Sequence, residues 1–263
     1  MSRHRLIGAL TVVAFAAAPA AAQAATITWS GSTSVTPLAI KVAKAYNKPK
    51  GYFAYKQGGS DVGINDVARG RVDIGLSSRD PRSGDPDGLV FTRVANDGLC
   101  IVTHKTNRVR NLSTEGIQAI FSGAARDWSR VPGATVKGTV SLFTRTQASG
   151  SQDAFQNIFM GDRSVSRAAS QQRSSGLVAQ RVRSNPRGAG YLSFAFSSGL
   201  NVPAYKGVSC TLRNAKSGLY GGLRRFYYVT RGQPSGPVAQ WIKFIKTSSA
   251  ARNQIATQWV PIA

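Results

Sequence analysis

Acidic residues are scarce in this chain. Eleven Asp and Glu stand against 34 Lys and Arg, and no acid follows Asp162 although basic residues continue to the C-terminus. Such a balance steers small anions and attracts polyanions without specificity, or serves solubility or an acid habitat. Histidine is rarer still, with only His4 and His104 in 263 residues. No His/Asp/Glu set has metal-ligand spacing, and no base stands near a candidate nucleophilic serine. An enzyme, a metal site and a cofactor are therefore not expected, and His104, at a strand end, reads as structural or exposed. Cysteine is limited to Cys100 and Cys210, which read either as one disulfide across 110 positions or as two buried thiols. No segment after the first 25 residues is long and apolar enough to span a membrane. The basic residues are not interleaved with aromatics, which argues against specific nucleic-acid reading.

What is present begins with a leader. Arg3, His4 and Arg5 precede the apolar run Leu6 to Ala18, and Ala22-Gln-Ala24 supplies a small-residue cleavage site. This reads as a signal peptide over 1–24, with a soluble periplasmic or secreted protein following. Removing Arg3 and Arg5 leaves 32 basic residues against 11 acidic ones, or +21.

Strands then alternate with helices, which argues an α/β fold. The stretch of interest is Arg145-Thr-Gln-Ala-Ser-Gly-Ser151, between the strand Val140 to Thr144 and a helix with Ala154, Phe155, Ile158 and Phe159 on one face. It delivers Ser149, Gly150 and Ser151 to a helix N-terminus, where free N–H groups and the helix dipole favour an anion. Two other turns repeat the arrangement. Strand Ile27 to Trp29 leads through Gly31-Ser-Thr-Ser34 to a helix expected to be capped by Thr36 with Pro37 first inside. Strand Phe53 to Gln57 leads through Gly58-Gly-Ser-Asp61 to another helix, and the strand Arg71 to Leu76 ends in Ser77-Ser-Arg-Asp80. Ligands of open α/β sheets bind at such strand ends against helix N-termini, so together the turns predict an oxyanion pocket.

These motifs, with Asp97-Gly98, Ile120-Phe-Ser-Gly123, Asn185-Pro186, Gly190-Tyr191 and Thr230-Arg-Gly-Gln-Pro-Ser-Gly236, resemble the periplasmic phosphate-binding proteins of ABC importers (PstS-like) over nearly the whole mature chain. The resemblance implies a two-lobed periplasmic binding protein of type II, with a two-strand hinge and a ligand cleft between lobes. Residues 25–97 and 202–263 would form lobe 1 and 98–201 lobe 2. It implies a monomer that captures inorganic phosphate or a similar oxyanion for a permease in the inner membrane. Thr33, Ser34, Ser60, Ser78, Arg145, Ser149, Gly150 and Ser151 would bind it, with Gln147, Asp61 and Arg79 as further candidates. The best-known members carry carboxylates where this chain has Ser78 and Gln147. Both can accept a hydrogen bond, but neither carries the charge that filters fully ionised oxyanions from protonated ones. The alternative is a secreted relative working outside transport, in anion sensing, adhesion or polyanion binding through its basic surface.

Overall fold

A computed structural model describes residues 27–262; the expected signal peptide and its cleavage site lie outside the described residues. In chain order the elements are β1 Ile27–Ser32, α1 Thr36–Ala45, β2 Phe53–Gly58, α2 Ser60–Ala68, β3 Ile74–Ser77, β4 Leu89–Thr103, β5 Asn111–Leu112 and α3 Thr114–Ser122. They continue with β6 Ser141–Arg145, α4 Gly150–Phe155, β7 Ser170–Gln172, α5 Ser175–Arg183, β8 Gly188–Ser193, β9 Ala204–Tyr205 and α6 Leu212–Lys216. The last are β10 Leu223–Arg231, α7 Gly236–Thr247, α8 Ser249–Ala256 and β11 Val260–Pro261.

The chain folds as two α/β lobes, the architecture that the resemblance implies. In the first lobe β1 lies parallel between β2 and β3, and β10 runs antiparallel between β3 and β4. β1 is apolar on alternate residues, so Ile27 and Trp29 bury into a core with Leu38 and Val42 of α1 and Trp241 of α7. In the second lobe the order is β4, β8, β6 and β7, with β8 and β6 parallel. Its core gathers Ile117, Phe121, Trp128, Phe155, Phe159 and Tyr191. Helix α3 closes on Gly123 in the left-handed region at φ 83°, where a side chain would be strained.

Strand β4 joins the lobes. The sequence pattern suggests separate strands on either side of Asp97-Gly98, whereas the structure has one 15-residue strand running through both residues. Its first part pairs with β10 as far as Leu223↔Gly98, and its last part pairs with β8 from Leu99↔Ser193. Asp97 is tolerated mid-strand because its carboxylate is paired inside the protein, and Gly98 because Phe194 fills the space a Cβ would need, 2.1 Å away. The second crossing lies alongside, where Leu99 donates its N–H to Gly222 O (2.8 Å) and Tyr220 OH to Leu99 O (2.8 Å). This pair of adjacent crossings is the two-strand hinge.

The stretch after Asn201, expected to return to the first lobe, stays with the second for some twenty residues more. β9 pairs with β5, Asn201 bridges Thr103, and Tyr205 and Tyr220 lie in the second core. Cys100 and Cys210 form a disulfide with Cα atoms 5.7 Å apart, which tethers this stretch to β4. We propose drawing the first lobe as 27–97 with 223–262.

Candidate functional site

Four helices begin at one place in the cleft, two from each lobe: α1 and α2 from the first, α4 and α5 from the second. Tight backbone packing aims α2. A Cβ at Gly63 would sit 2.6 Å from Ser30 O, and Gly63 and Gly75 let this helix lie directly on β1 and β3. In the second lobe Tyr191 holds the strand-to-helix turn. Its hydroxyl accepts the Arg145 N–H (2.8 Å) and donates to Gln152 Oε1, while its ring stacks on Phe155 at 4.1 Å. Ser149 caps α4 by accepting from Ser151 N (3.2 Å). Thr36, expected as the cap of α1, is instead its first residue and donates to Ser32 O (2.9 Å), because the chain is already helical at Val35.

At the convergence the hydroxyls contact one another across the lobes. Ser34 Oγ lies 2.9 Å from Ser151 Oγ and 3.0 Å from Ser175 Oγ, and Thr33 Oγ1 accepts from Ser175 N (3.1 Å). Ser32 Oγ donates to Ser78 Oγ (2.9 Å), and Ser60 Oγ accepts from Ser78 N (3.0 Å) and from Gly150 N (3.2 Å). Asp61 N also donates to Ala148 O across the cleft (3.1 Å). All of these serines are at most 3% exposed. Every hydroxyl is a rotor that can donate to an acceptor brought among them, and the helix dipoles make the place favourable for negative charge.

The buried charges are unequal. Arg224 of β10 sits opposite Asp97 in the register and donates to its Oδ2 from Nε (2.9 Å) and Nη2 (2.8 Å). Its Nη1 reaches Ser151 Oγ (2.6 Å), while Ser193 Oγ occupies Asp97 Oδ1 (2.7 Å). Burial pushes the Asp97 carboxyl up from its ordinary range, with the Arg224 charge pulling the other way. Arg145 is 2% exposed and has no carboxylate partner among the described residues. It donates to Gln172 O (3.1 Å), Arg173 O (3.1 Å) and Ser175 Oγ (3.0 Å). Burial, reinforced by the Arg224 cation, pulls its guanidinium down to about 10. Of these two buried guanidiniums only Arg224 is paired with a carboxylate, and the positive charge of Arg145 is left over beside a ring of hydroxyls.

Of the residues expected from the sequence, Thr33, Ser34, Ser60, Ser78, Arg145, Ser149, Gly150 and Ser151 come together here. Gln147 does not: it is exposed on the turn before α4. Arg79 is buried close by, but its side chain is committed to Asp61 (2.7 Å) and Asp85 (2.9 Å). Asp61 therefore serves Arg79, and Asp80 is held by Arg225 and Tyr227. Burial would raise the Asp85 carboxyl, yet the Arg79 guanidinium and the Arg82 N–H outweigh it and leave it below its ordinary value. His104 lies outside the cluster, its Nδ1 2.7 Å from Thr106 Oγ1. Among the described residues no group of His, Cys, Asp or Glu is placed to hold a metal ion.

Sequence reading missed Ser32, Ser175, Asp97 and Arg224. Arg173-Ser-Ser-Gly176 is a hydroxyl-rich turn like the other three, and that likeness was the available signal for Ser175. Nothing local marks Arg224; only the 127-residue separation closed by the β4–β10 register brings it to Asp97.

A family model described as a PBP superfamily domain matches residues 16–248. The phosphate-binding protein PstS of Bacillus subtilis is 24% identical over 244 residues, covering 90% of this chain and 80% of its own. Phosphate-binding protein PstS 2 of Streptococcus agalactiae is 37% identical over 103 residues, 38% of this chain and 35% of its own. A Clostridium perfringens substrate-binding protein assigned to a phosphate ABC transporter, solved with phosphate bound, is 26% identical with a TM-score of 0.84, covering 90% of this chain and 100% of that one. An ABC-type phosphate transport receptor from Vibrio cholerae is also 26% identical, with a TM-score of 0.71 over 90% and 100% of the two chains.

Proposed function

The chain belongs to the PBP superfamily domain family, and from that premise we propose that it is a PstS-like solute-binding protein. It captures inorganic phosphate between its lobes and delivers it to the permease of an ABC importer. The observation that carries this reading is Arg145: a buried cation with no carboxylate partner among the described residues, beside hydroxyls from four helix N-termini. A buried charge is costly unless paired, and an oxyanion supplies the missing charge together with acceptors for several donors. Relatives that match 90% of the chain, one described as phosphate-binding and one solved with phosphate bound, point the same way.

Capture follows from the hinge. With the lobes apart, Ser34, Ser60 and Ser78 present their donors from one side and Arg145, Ser151 and Ser175 from the other. Closing brings the sets together, and the anion takes over contacts that hydroxyls otherwise make with one another. Arg224 links the two events, because it reaches across to Ser151 from a hinge strand. No step of this scheme is catalytic. The cluster has no free base, since Asp97 is held by Arg224 and Ser193. On the same reading the protein works as a monomer outside the cytoplasm, where the Cys100–Cys210 bridge is stable, and its excess positive charge draws polyanions only nonspecifically.

Calorimetric titration with phosphate and then sulfate tests the proposal. Phosphate should bind at micromolar concentration or tighter. Selectivity over sulfate should be narrow, because no free carboxylate touches the cluster to accept a phosphate proton. Absence of phosphate heat, with the protein folded, would overturn the proposal.

A further inference from the structure

The cleft continues past the serine cluster. On its hinge side a cavity of about 340 Å³ lies between the lobes, and Ser78 and Arg224, both members of the cluster, form part of its wall. This is roughly ten times the 30 Å³ share of one water and falls at the lower end of the range of small-molecule sites. The phosphate site is therefore flanked by a chamber with room for something attached to the phosphorus.

The lining of the chamber is mixed in a specific way. Ala154, Ile158 and Leu223 give it an apolar side. Arg93, Arg225, Asn96 and Asn157 give it a polar one. Two carboxylates also line it, and both are engaged. Asp80 takes Arg225 Nη1 and Tyr227 OH (both 2.8 Å), while Asp153 faces Arg82 at 3.6 Å and Asn157 Nδ2 at 3.4 Å. Arg93 forms no ion pair among the described residues. Its Nε donates to Asn96 Oδ1 (3.0 Å), a neutral acceptor, and the side chain is exposed to the cleft. A guanidinium forked onto a neutral amide can exchange that partner for a carboxylate with a gain in charge-assisted bonding.

We infer that the site also accepts phosphoryl compounds carrying a short substituent that ends in an anionic group, such as small carboxylated phosphonates or phosphomonoesters. The phosphoryl group occupies the serine cluster beside Arg145 and Arg224, the carbon atoms lie along Ala154, Ile158 and Leu223, and the terminal anion meets Arg93. This rests on the phosphate reading and extends it from one ion to a class of ligand.

The test compares inorganic phosphate with 3-phosphonopropionate, by calorimetry, on the wild-type protein and on Arg93→Ala. The wild type should bind both, with affinities within about tenfold of each other. Arg93→Ala should weaken 3-phosphonopropionate by about tenfold or more, the usual worth of one charge-assisted contact, and leave phosphate unchanged. Unchanged phosphate binding also shows that the variant is folded. If phosphate binds and 3-phosphonopropionate does not, or if Arg93→Ala affects neither ligand or both equally, the second chamber is refuted and the phosphate site stands. If neither ligand binds the wild type, both readings fall.

Discussion

Replacing Arg145 with alanine separates a binding residue from a structural one. The folded protein holds this guanidinium at about 10, well below its ordinary value, a displacement worth roughly 3 kcal/mol at about 1.4 kcal/mol per pH unit. Hydrogen bonds to Gln172 O, Arg173 O and Ser175 Oγ offset part of that cost. The three bonds and the burial penalty are similar in size, so without ligand Arg145→Ala should change the unfolding free energy by no more than about 2 kcal/mol. Binding behaves differently. Truncating one partner of a buried charged contact costs about 2–5 kcal/mol, or roughly 30-fold to several thousand-fold in Kd. Thermal unfolding with and without phosphate reads both quantities. At a ligand concentration of 100 Kd the wild type should gain about 2.7 kcal/mol, and the variant at the same concentration no more than about 0.9 kcal/mol. A variant that unfolds far more easily yet keeps its phosphate-dependent gain would show Arg145 to be a structural residue and would refute the reasoning.

Three further outcomes follow from the geometry. A Cβ at Gly150 would lie 2.4 Å from Ser60 Oγ and 2.8 Å from Arg79 N, so Gly150→Ala should obstruct closure. Phosphate affinity should fall at least about tenfold with little loss of stability, and small-angle scattering should no longer show contraction on adding phosphate. Asp97→Asn removes the carboxylate paired with Arg224 and should destabilise the protein by about 3 kcal/mol in urea. It leaves both guanidiniums at the site, so phosphate affinity should hold or tighten, and a loss of affinity at full stability would contradict the assignment. The depressed Asp85 carboxyl contributes stability that is present above its unfolded pKa of about 3.9 and lost as pH falls through its lower folded value. Wild type should therefore be more stable than Asp85→Asn at pH 7, and a gap that persists undiminished at pH 3 would speak against the Arg79 pairing as its source.

The parts of the site that could be read from sequence are those built locally. Gly31-Ser-Thr-Ser34, Gly59-Ser60 and Ser149-Gly-Ser151 each sit between an apolar strand and an amphipathic helix, and hydrophobic periodicity locates both sides of the turn. The fourth turn, at Ser174-Ser175, escaped because its preceding strand, Ser170–Gln172, is wholly polar and pairs only at the sheet edge with β6. The hinge was obscured for a related reason. Asp97 and Gly98 carry the signature of a turn, and they lie mid-strand only because Arg224, Ser193 and Phe194 arrive from distant parts of the chain. The same long-range pairing decides which charges are free. Sequence puts Arg145 in the expected site and Arg79 only among the further candidates. Only the fold shows Arg79 satisfied by Asp61 and Asp85 while Arg145 has carbonyls and a hydroxyl.

The most direct measurement is a crystal structure of the protein grown in millimolar phosphate. The account predicts tetrahedral density at the meeting point of α1, α2, α4 and α5, within hydrogen-bond distance of Arg145 and of Ser34, Ser78 and Ser151. Arg224 should still be paired with Asp97. A closed cleft whose serines remain bonded to one another, with phosphate found only on the basic surface, would contradict it.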